Sequence, residues 1–313
     1  MLMSWSAACI SLPTRTGQNK PECFNDEISK MPAGNGRHFM RCDLRAKDII
    51  IYSDMDGTSL VDWDIGDYVP EKNIAALKRF CAEGGLFSIA SGRQPADIMH
   101  YFPAGLLNAP LVCANGAIIY DPQKGKQVKS LFLPAEYKRE CINYCKDHPE
   151  LSVSAADTEY VYRVRTGDGR YGASSRTRAI ISEEEFQVGD FVKMAFKLPK
   201  EEMLWAVERD VRAFESAAQV SIAKSADIYL DITVRDADKG KGVMTALEYM
   251  GIRRFLVCIG DNFNDISMLK IADMPVCPVS GERNVIDMCK MITCDNNTGA
   301  IANLISMLEH AVR

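Results

Sequence analysis

The sequence lacks any run of 18 uncharged apolar residues, so it holds no stretch able to cross a membrane as a helix. It also lacks an excess of positive charge. Lys and Arg number 37 against 42 Asp and Glu, a formal net charge of −5, and this balance argues against nucleic acid or an anionic membrane as partner. The four histidines are isolated and no Cys-x-x-Cys occurs among the 11 cysteines, which leaves structural zinc little to build on. An odd, scattered set of cysteines, with Cys141 and Cys145 its closest pair, suits free thiols in a reducing cytoplasm better than a disulfide framework. Met1 to Pro13 has no basic stretch of the kind that opens a secretory leader. No internal repeat is visible. With 47% apolar and 25% charged residues over 313 positions, the chain has an ordinary globular balance and the length for two domains, or for one with a large insertion.

Residues 1–45 mix Gly, Pro, Asn, Ser and charges without periodicity and read as a disordered tail, with Met40 an alternative start. The run Ile49-Ile50-Ile51-Tyr52 is what a parallel strand buried on both faces requires. A helix is predicted from Pro70 through Ile74, Leu77 and Phe80 to Gly84-Gly85, followed by buried strands at Leu86–Ala90 and Leu111–Ala114. From Pro134 the pattern changes: helix at Ala135–Asp147, strands at Tyr160–Arg165, Phe191–Leu198 and Ile228–Thr233, helix at Glu201–Glu215. That order suggests an α+β module with a half-exposed antiparallel sheet. The strand–helix alternation then returns, with a helix at Gly242–Met250, a strand at Phe255–Ile259, a helix at Asp265–Ile271, strands at Val276–Val279 and Met291–Cys294, and a last helix at Gly299–His310. The expectation is an α/β protein with a Rossmann-like, doubly wound parallel-sheet core over 46–133 and 235–313, interrupted by an inserted α+β domain over 134–234.

Four segments stand at predicted strand exits or helix starts. Asp54-Met55-Asp56-Gly57-Thr58 follows the first strand, and in such sheets ligands bind beyond the carboxyl ends. Residues two apart in extended chain point the same way, so Asp54 and Asp56 should share a site that needs a cation or a shared proton. Ser91-Gly92-Arg93 follows the second strand and offers a hydroxyl and backbone N–H groups to an anion. Asp238-Lys239-Gly240-Lys241-Gly242 opens a helix, and Gly260-Asp261-Asn262-Phe263-Asn264-Asp265 follows the strand at Phe255–Ile259. Carboxylates for a hard cation, a hydroxyl, an ammonium and helix N-termini make up the equipment of phosphoryl transfer.

In this order and spacing the four segments resemble the haloacid dehalogenase superfamily, in particular its Cof-like phosphatases, whose larger cap lies between the second and third motifs. The resemblance covers residues 47–313. It implies Asp54 as the nucleophile that forms an aspartyl-phosphate and Asp56 as the acid/base. It implies Thr58, Ser91, Gly92 and Arg93 at the phosphate, with Asn115-Gly116 and Asn264 nearby. Mg²⁺ is the implied cofactor, held by the Asp54 and Asp261 carboxylates and the Asp56 carbonyl, with Asp265 in support. The motif lysine of these proteins lies twelve residues before the Gly of a Leu-Gly-Ile-type helix end; Met250-Gly251-Ile252 fills that place and implies Lys239, leaving Lys241 solvated.

The activity implied is a Mg²⁺-dependent phosphatase of a small phosphorylated metabolite such as a sugar phosphate, in a cytoplasmic monomer or homodimer. A phosphomannomutase-like phosphotransferase shares the Asp-x-Asp-Gly-Thr start but has a longer, glycine-richer fourth motif than Gly260–Asp265. A phospho-ligand sensor without turnover would have no need of intact Asp54, Asp56, Lys239 and Asp261. Gly167-Asp168-Gly169-Arg170-Tyr171-Gly172 fits the dinucleotide fingerprint but sits in the insertion with no apolar helix behind it, and reads as a loop. Arg163, Arg165, Arg170, Arg176 and Arg178 form the one strong basic cluster. Alternation puts Tyr160, Tyr162 and Val164 on one face of their strand and Val161, Arg163 and Arg165 on the other. The open face makes Arg163 and Arg165 candidate cap contacts to substrate.

Overall fold

The computed structural model describes residues 44–166 and 177–311. The expectations for the tail up to residue 43, for the glycine fingerprint at 167–172 and for Arg170 and Arg176 fall outside these residues. The first third of the described chain holds β1 (Ile49–Ser53), α1 (Glu71–Ala82), β2 (Leu86–Ile89), α2 (Pro95–His100), β3 (Leu111–Cys113), β4 (Ile118–Asp121) and β5 (Lys126–Ser130). Next come α3 (Ala135–Asp147), β6 (Ser152–Ala156), β7 (Val161–Val164), β8 (Thr177–Ile181), α4 (Glu183–Val188), β9 (Lys193–Lys197), α5 (Leu204–Arg212), β10 (Val220–Ala226) and β11 (Tyr229–Val234). The last stretch is α6 (Lys239–Met250), β12 (Phe255–Ile259), α7 (Ile266–Ile271), β13 (Met274–Pro278), α8 (Arg283–Ile286), β14 (Met291–Thr293) and α9 (Ala300–Ala311).

Five strands form a parallel sheet in the order β14-β13-β12-β1-β2. Strand β1, flanked by β12 and β2, explains why the sheet is covered twice. Ile49 and Ile51 pack with Leu77, Phe80, Ile301 and Leu304 of α1 and α9. Ile50 and Tyr52, pointing the other way, pack with Val243, Ala246, Met268 and Leu269 of α6 and α7. An unbroken apolar run is therefore required, because no face of β1 meets water. The sheet is thus doubly wound, as the alternating strand–helix pattern implies.

The β3 segment differs from the expectation that it continues this parallel sheet. A single parallel bridge, Ala90 to Val112, touches the sheet's end, while β3 pairs antiparallel with β4 and β4 with β5. The turn residues Asp121-Pro122-Gln123-Lys124-Gly125 between β4 and β5 carried the hairpin signal.

Residues 152–234 contain a six-stranded sheet in the order β10-β11-β9-β6-β7-β8. It is antiparallel except where β7 and β8 run parallel, a departure from the purely antiparallel expectation. β6, β8 and β10, rich in Ser, Ala and Thr, had too little apolar contrast to stand out. One face, with Val153, Val164, Met194, Phe196, Leu230 and Ile232, packs on Tyr137, Cys141 and Cys145 of α3 and Leu204, Val207 and Val211 of α5. Pair register puts Arg163, Ser154, Ala195 and Asp231 in one row of the opposite face.

Candidate active site

Three exits of the parallel sheet meet because the strands are in register: Ser53 lies opposite both Ile259 of β12 and Ile89 of β2. The Asp54 N–H then donates to the Ile259 carbonyl at 2.8 Å and the Ala90 N–H to the Ser53 carbonyl at 2.8 Å. Asp54, Ser91 and Asp261 are brought to one edge by backbone pairing alone.

The fourth segment enters from α6. Asp238 caps the helix, accepting from the Lys241 N–H at 2.7 Å. Lys239, the first residue of α6, has no solvent-exposed side chain, and its Nζ lies 2.7 Å from Asp54 Oδ1 and 2.6 Å from Asp265 Oδ1. Lys241 points outward to Asp236 at 3.0 Å. Burial opposes the Lys239 charge, and the carboxylates of Asp265 and Asp54 more than reverse that, so its pKa is raised.

The other oxygen of Asp265, Oδ2, accepts from the N–H groups of Asp261 and Asn262, both at 3.0 Å, and so fixes the loop after β12. Asp261 Oδ1 accepts from the Thr58 hydroxyl at 2.7 Å. Thr58, whose expected place is at the phosphate, is fully buried, and its hydroxyl orients the Asp261 carboxylate. Gly57 makes the approach of Asp261 possible. With φ of +73°, its place for a Cβ lies 2.5 Å from Asp261 Oδ2, so the residue must be Gly both for conformation and for space.

Asp54, Asp261 and Asp265 each offer an oxygen within 4.8 Å of the others. Three carboxylates against one ammonium leave a deficit of two positive charges, and an oxygen-only donor set suits a hard divalent ion. The residues present therefore fit such an ion. Asp54 Oδ1 is taken by Lys239 and by the Met55 N–H at 2.6 Å, while both Asp265 oxygens are occupied. Asp54 Oδ2 and Asp261 thus become the carboxylate ligands of choice, with Asp265 as an anchor. Burial, then repulsion from Asp265, holds the Asp54 pKa well above the usual carboxylate range despite Lys239. Burial likewise pushes Asp261 up to about 6, opposed by the Thr58 hydrogen bond.

Asp56 takes a different direction from Asp54. Its side chain is 60% exposed and forms a double hydrogen bond with Arg93, Nη2 to Oδ1 at 2.6 Å and Nε to Oδ2 at 3.0 Å. Arg93, expected at the phosphate, is a partner of Asp56 in this arrangement. Its Nη1 also donates to the Tyr101 hydroxyl at 2.9 Å, which donates in turn to Asp67 at 2.6 Å. Ser91 is buried and its hydroxyl accepts from the Arg93 N–H at 3.2 Å. Gly92 lies against the Asn115 side chain, whose Oδ1 is 3.4 Å from Asn264 Nδ2. Gly116, with φ of +98°, brings the Asn115-Gly116 turn against the Asp238 backbone.

Arg163 lies on the open face of its sheet, with Nε and Nη1 buried and without a hydrogen-bond partner, and Arg165 is exposed. Tyr162 packs on the apolar core as alternation requires, whereas Tyr160 precedes β7, is exposed and stacks under Arg178 at 5.1 Å. Sequence reasoning missed Trp63, Asp67 and Tyr101. Asp62-Trp63-Asp64 directly after the nucleophile segment was a readable signal for the first two; Tyr101 had none.

A family profile described as haloacid dehalogenase-like hydrolase matches residues 51–305. Pyridoxal phosphate phosphatase YbhA of Escherichia coli is 26% identical over 274 residues, covering 82% of this chain and 97% of its own. The 5-amino-6-(5-phospho-D-ribitylamino)uracil phosphatase YitU of Bacillus subtilis is 23% identical over 274 residues, covering 84% and 98%. A solved HAD subclass IIB sugar phosphatase superposes with a TM-score of 0.68 at 18% identity, over 83% of this chain and 98% of that one, which establishes the shared fold. No helix among the described residues is long and apolar enough to cross a membrane.

Proposed function

We propose that this chain, which belongs to the haloacid dehalogenase-like hydrolases, is a Mg²⁺-dependent phosphatase of small phosphorylated metabolites that works through an aspartyl-phosphate on Asp54. The observation that carries the reading is the buried Lys239 ammonium held between Asp54 and Asp265, beside Asp261. The relatives named for pyridoxal phosphate, a ribitylaminouracil phosphate and sugar phosphates support substrates of this size.

A carboxylate is a weak nucleophile toward a phosphate dianion, so the charge of both must be offset before attack. Asp54 and Asp261 would hold Mg²⁺, which would supply that charge and favour the ionised form of Asp54 against its burial. Asp54 attacks phosphorus through a carboxylate oxygen, and the bond from phosphorus to the ester oxygen breaks. Asp56 gives its proton to the departing alkoxide. Water then attacks the aspartyl-phosphate, returns a proton to Asp56, and releases Asp54 and inorganic phosphate. Lys239 holds Asp54 in line, while Ser91, the backbone of Gly92 and Asn115 with Gly116 border the phosphate. Both Asp56 oxygens accept from Arg93, so Asp56 has to leave this pair and take up a proton from solvent before it serves as the acid, and Asn264 closes the rim against Asn115.

The segment 134–234 acts as a cap, with Arg163 or Arg165 turned to the polar end of the substrate. Free thiols throughout the described chain suit a cytoplasmic enzyme, monomer or homodimer, without nucleic acid or membrane partners. Incubation with Mg²⁺ and a panel of phosphate esters tests the reading. Free phosphate supports it, an isomerised sugar phosphate would indicate a mutase, and neither would indicate a sensor. Asp54→Asn should abolish phosphate release while leaving Tm within a few degrees, because Asn is isosteric but forms no acyl-phosphate. Activity within tenfold of wild type would remove Asp54 from the mechanism.

A further inference from the structure

The acid that protonates the leaving oxygen must lie beside the leaving group, and Asp56 lines a cavity of about 380 Å³. Besides Asp56 and Arg93, the cavity is lined by the loop that follows Thr58, from Leu60 to Asp67, and this loop carries Trp63. Trp63 is 91% exposed, which alone means little for one aromatic residue. What distinguishes it is the rigidity of its support. Asp62 accepts from Asn296 at 2.9 Å and from Asn297 at 2.8 Å, and its own N–H donates to Asn297 Oδ1 at 2.7 Å. The Asp62 carbonyl closes the turn by accepting from Ile65 and Gly66, and Val61 N–H donates to the Tyr68 carbonyl at 3.2 Å. At the far end the Tyr101 hydroxyl holds Asp67 and links it through Arg93 to Asp56. A loop tied at both ends displays an indole on the same cavity as the acid/base.

The charge of the cavity narrows what can enter. Asp62, Asp64 and Asp67 line it beside Asp56, and Arg93, the one cation among its lining residues, is already engaged by Asp56. A second phosphate or a carboxylate on the leaving group would be repelled there; ring N–H or hydroxyl donors would find acceptors. An indole face adds stacking that favours planar rings and tolerates cationic ones.

We propose that Trp63 is a specificity-determining residue. Its indole stacks on the leaving group, and the site selects monophosphate esters whose alcohol carries a planar, neutral or cationic, donor-bearing ring. This rests on the hydrolytic reading above, since it is Asp56 as acid that places the leaving group in this cavity.

The test compares pyridoxine 5′-phosphate, which has the ring but no lysine-reactive aldehyde, with glycerol 3-phosphate, which has no ring. Wild type should prefer the ring ester, W63A should lower the ratio of the two kcat/KM values about tenfold through KM, and W63F should retain most of it. An unchanged ratio in W63A would overturn the proposal, as would equal losses on both esters, which would make Trp63 a part of closure or of folding. Calorimetry of pyridoxine 5′-phosphate binding to D54N and D54N/W63A gives a readout without turnover. Binding about tenfold weaker in the double variant supports the ring site even if wild type releases no phosphate, the case in which the hydrolytic reading fails alone. Equal binding by the two variants, or none by D54N, overturns the ring site, while phosphate release from glycerol 3-phosphate would leave the hydrolytic reading standing.

Discussion

Lys239 is a charge without solvent, a placement proteins sustain only when the charge is paired. Removing it would leave three carboxylates facing one another. Lys239→Met is therefore expected to destabilise the metal-free protein by about 3–5 kcal/mol, the usual cost of breaking a buried pair, and to abolish phosphate release. Lys241→Met should leave both nearly unaltered, since that ammonium lies outside with Asp236. Denaturant titration in EDTA and a phosphate-release assay check the pair; a reversed outcome would transfer the role to Lys241. The carboxylates carry the opposite sign. Asp261, raised to about 6 chiefly by burial, and Asp54, also raised chiefly by burial, bind protons in the folded state that the unfolded chain has already lost. Through Asp261, stability of the metal-free protein consequently falls as the pH rises through about 4 to 6. A divalent ion bound by these carboxylates would have to displace those protons. The rise in Tm on adding Mg²⁺ should therefore be larger at pH 7.5 than at pH 5, and an equal rise at both would remove Asp261 and Asp54 as ligands.

At the scale of elements, the site depends on a joint between the turn after β3 and the start of α6. Asn115 has φ of 55° and Gly116 φ of +98°, and a Cβ on Gly116 would lie 2.2 Å from the Asp238 carbonyl oxygen. Backbone has to move if that atom is added. Gly116→Ala should cost at least about 1–3 kcal/mol, from left-handed strain plus the clash, and lower kcat by displacing Asp238 and Lys239. Gly105→Ala provides the comparison, because Gly105 has φ of +80° but nothing within 4 Å of its Cβ place. It should lose stability through strain alone and keep its kcat. Equal kcat for the two variants would show that the joint does not position Lys239. The sequence marks Gly116 only as part of Asn115-Gly116, and Gly105 not at all. The close approach that makes one of them critical exists only once β3 has turned back into β4 and α6 has packed against the turn.

For the whole molecule, the parallel sheet gathers Asp54, Ser91 and Asp261 at one edge, and the sheet within residues 152–234 carries the orphaned Arg163 donors on its open face. Buried guanidinium N–H groups without acceptors are costly, and an anionic or hydroxyl-rich substrate would satisfy them. Replacing Arg163 and Arg165 together with Gln should raise KM for the true substrate more than for a short generic ester, shifting their kcat/KM ratio several-fold. No shift in that ratio would place specificity outside these arginines. The sequence by itself determined the parallel core, because a strand buried on both faces can only be an unbroken apolar run such as Ile49–Tyr52. It also marked the segments that begin at Asp54, Ser91, Lys239 and Asp261, of which the register of β1, β2 and β12 carries three to one edge. Only the tertiary structure decided the pairings across that edge. Thr58 donates to Asp261, 203 positions away; Arg93 takes Asp56; Asp265 anchors Lys239; Asp62, next to Trp63, is held by Asn296 and Asn297. It likewise decided the parallel β7–β8 pair and the β3–β5 meander. Periodicity and propensity report on a residue's own neighbours along the chain. Which polar group meets which is settled later, when packed elements leave each buried donor and acceptor a single partner within reach.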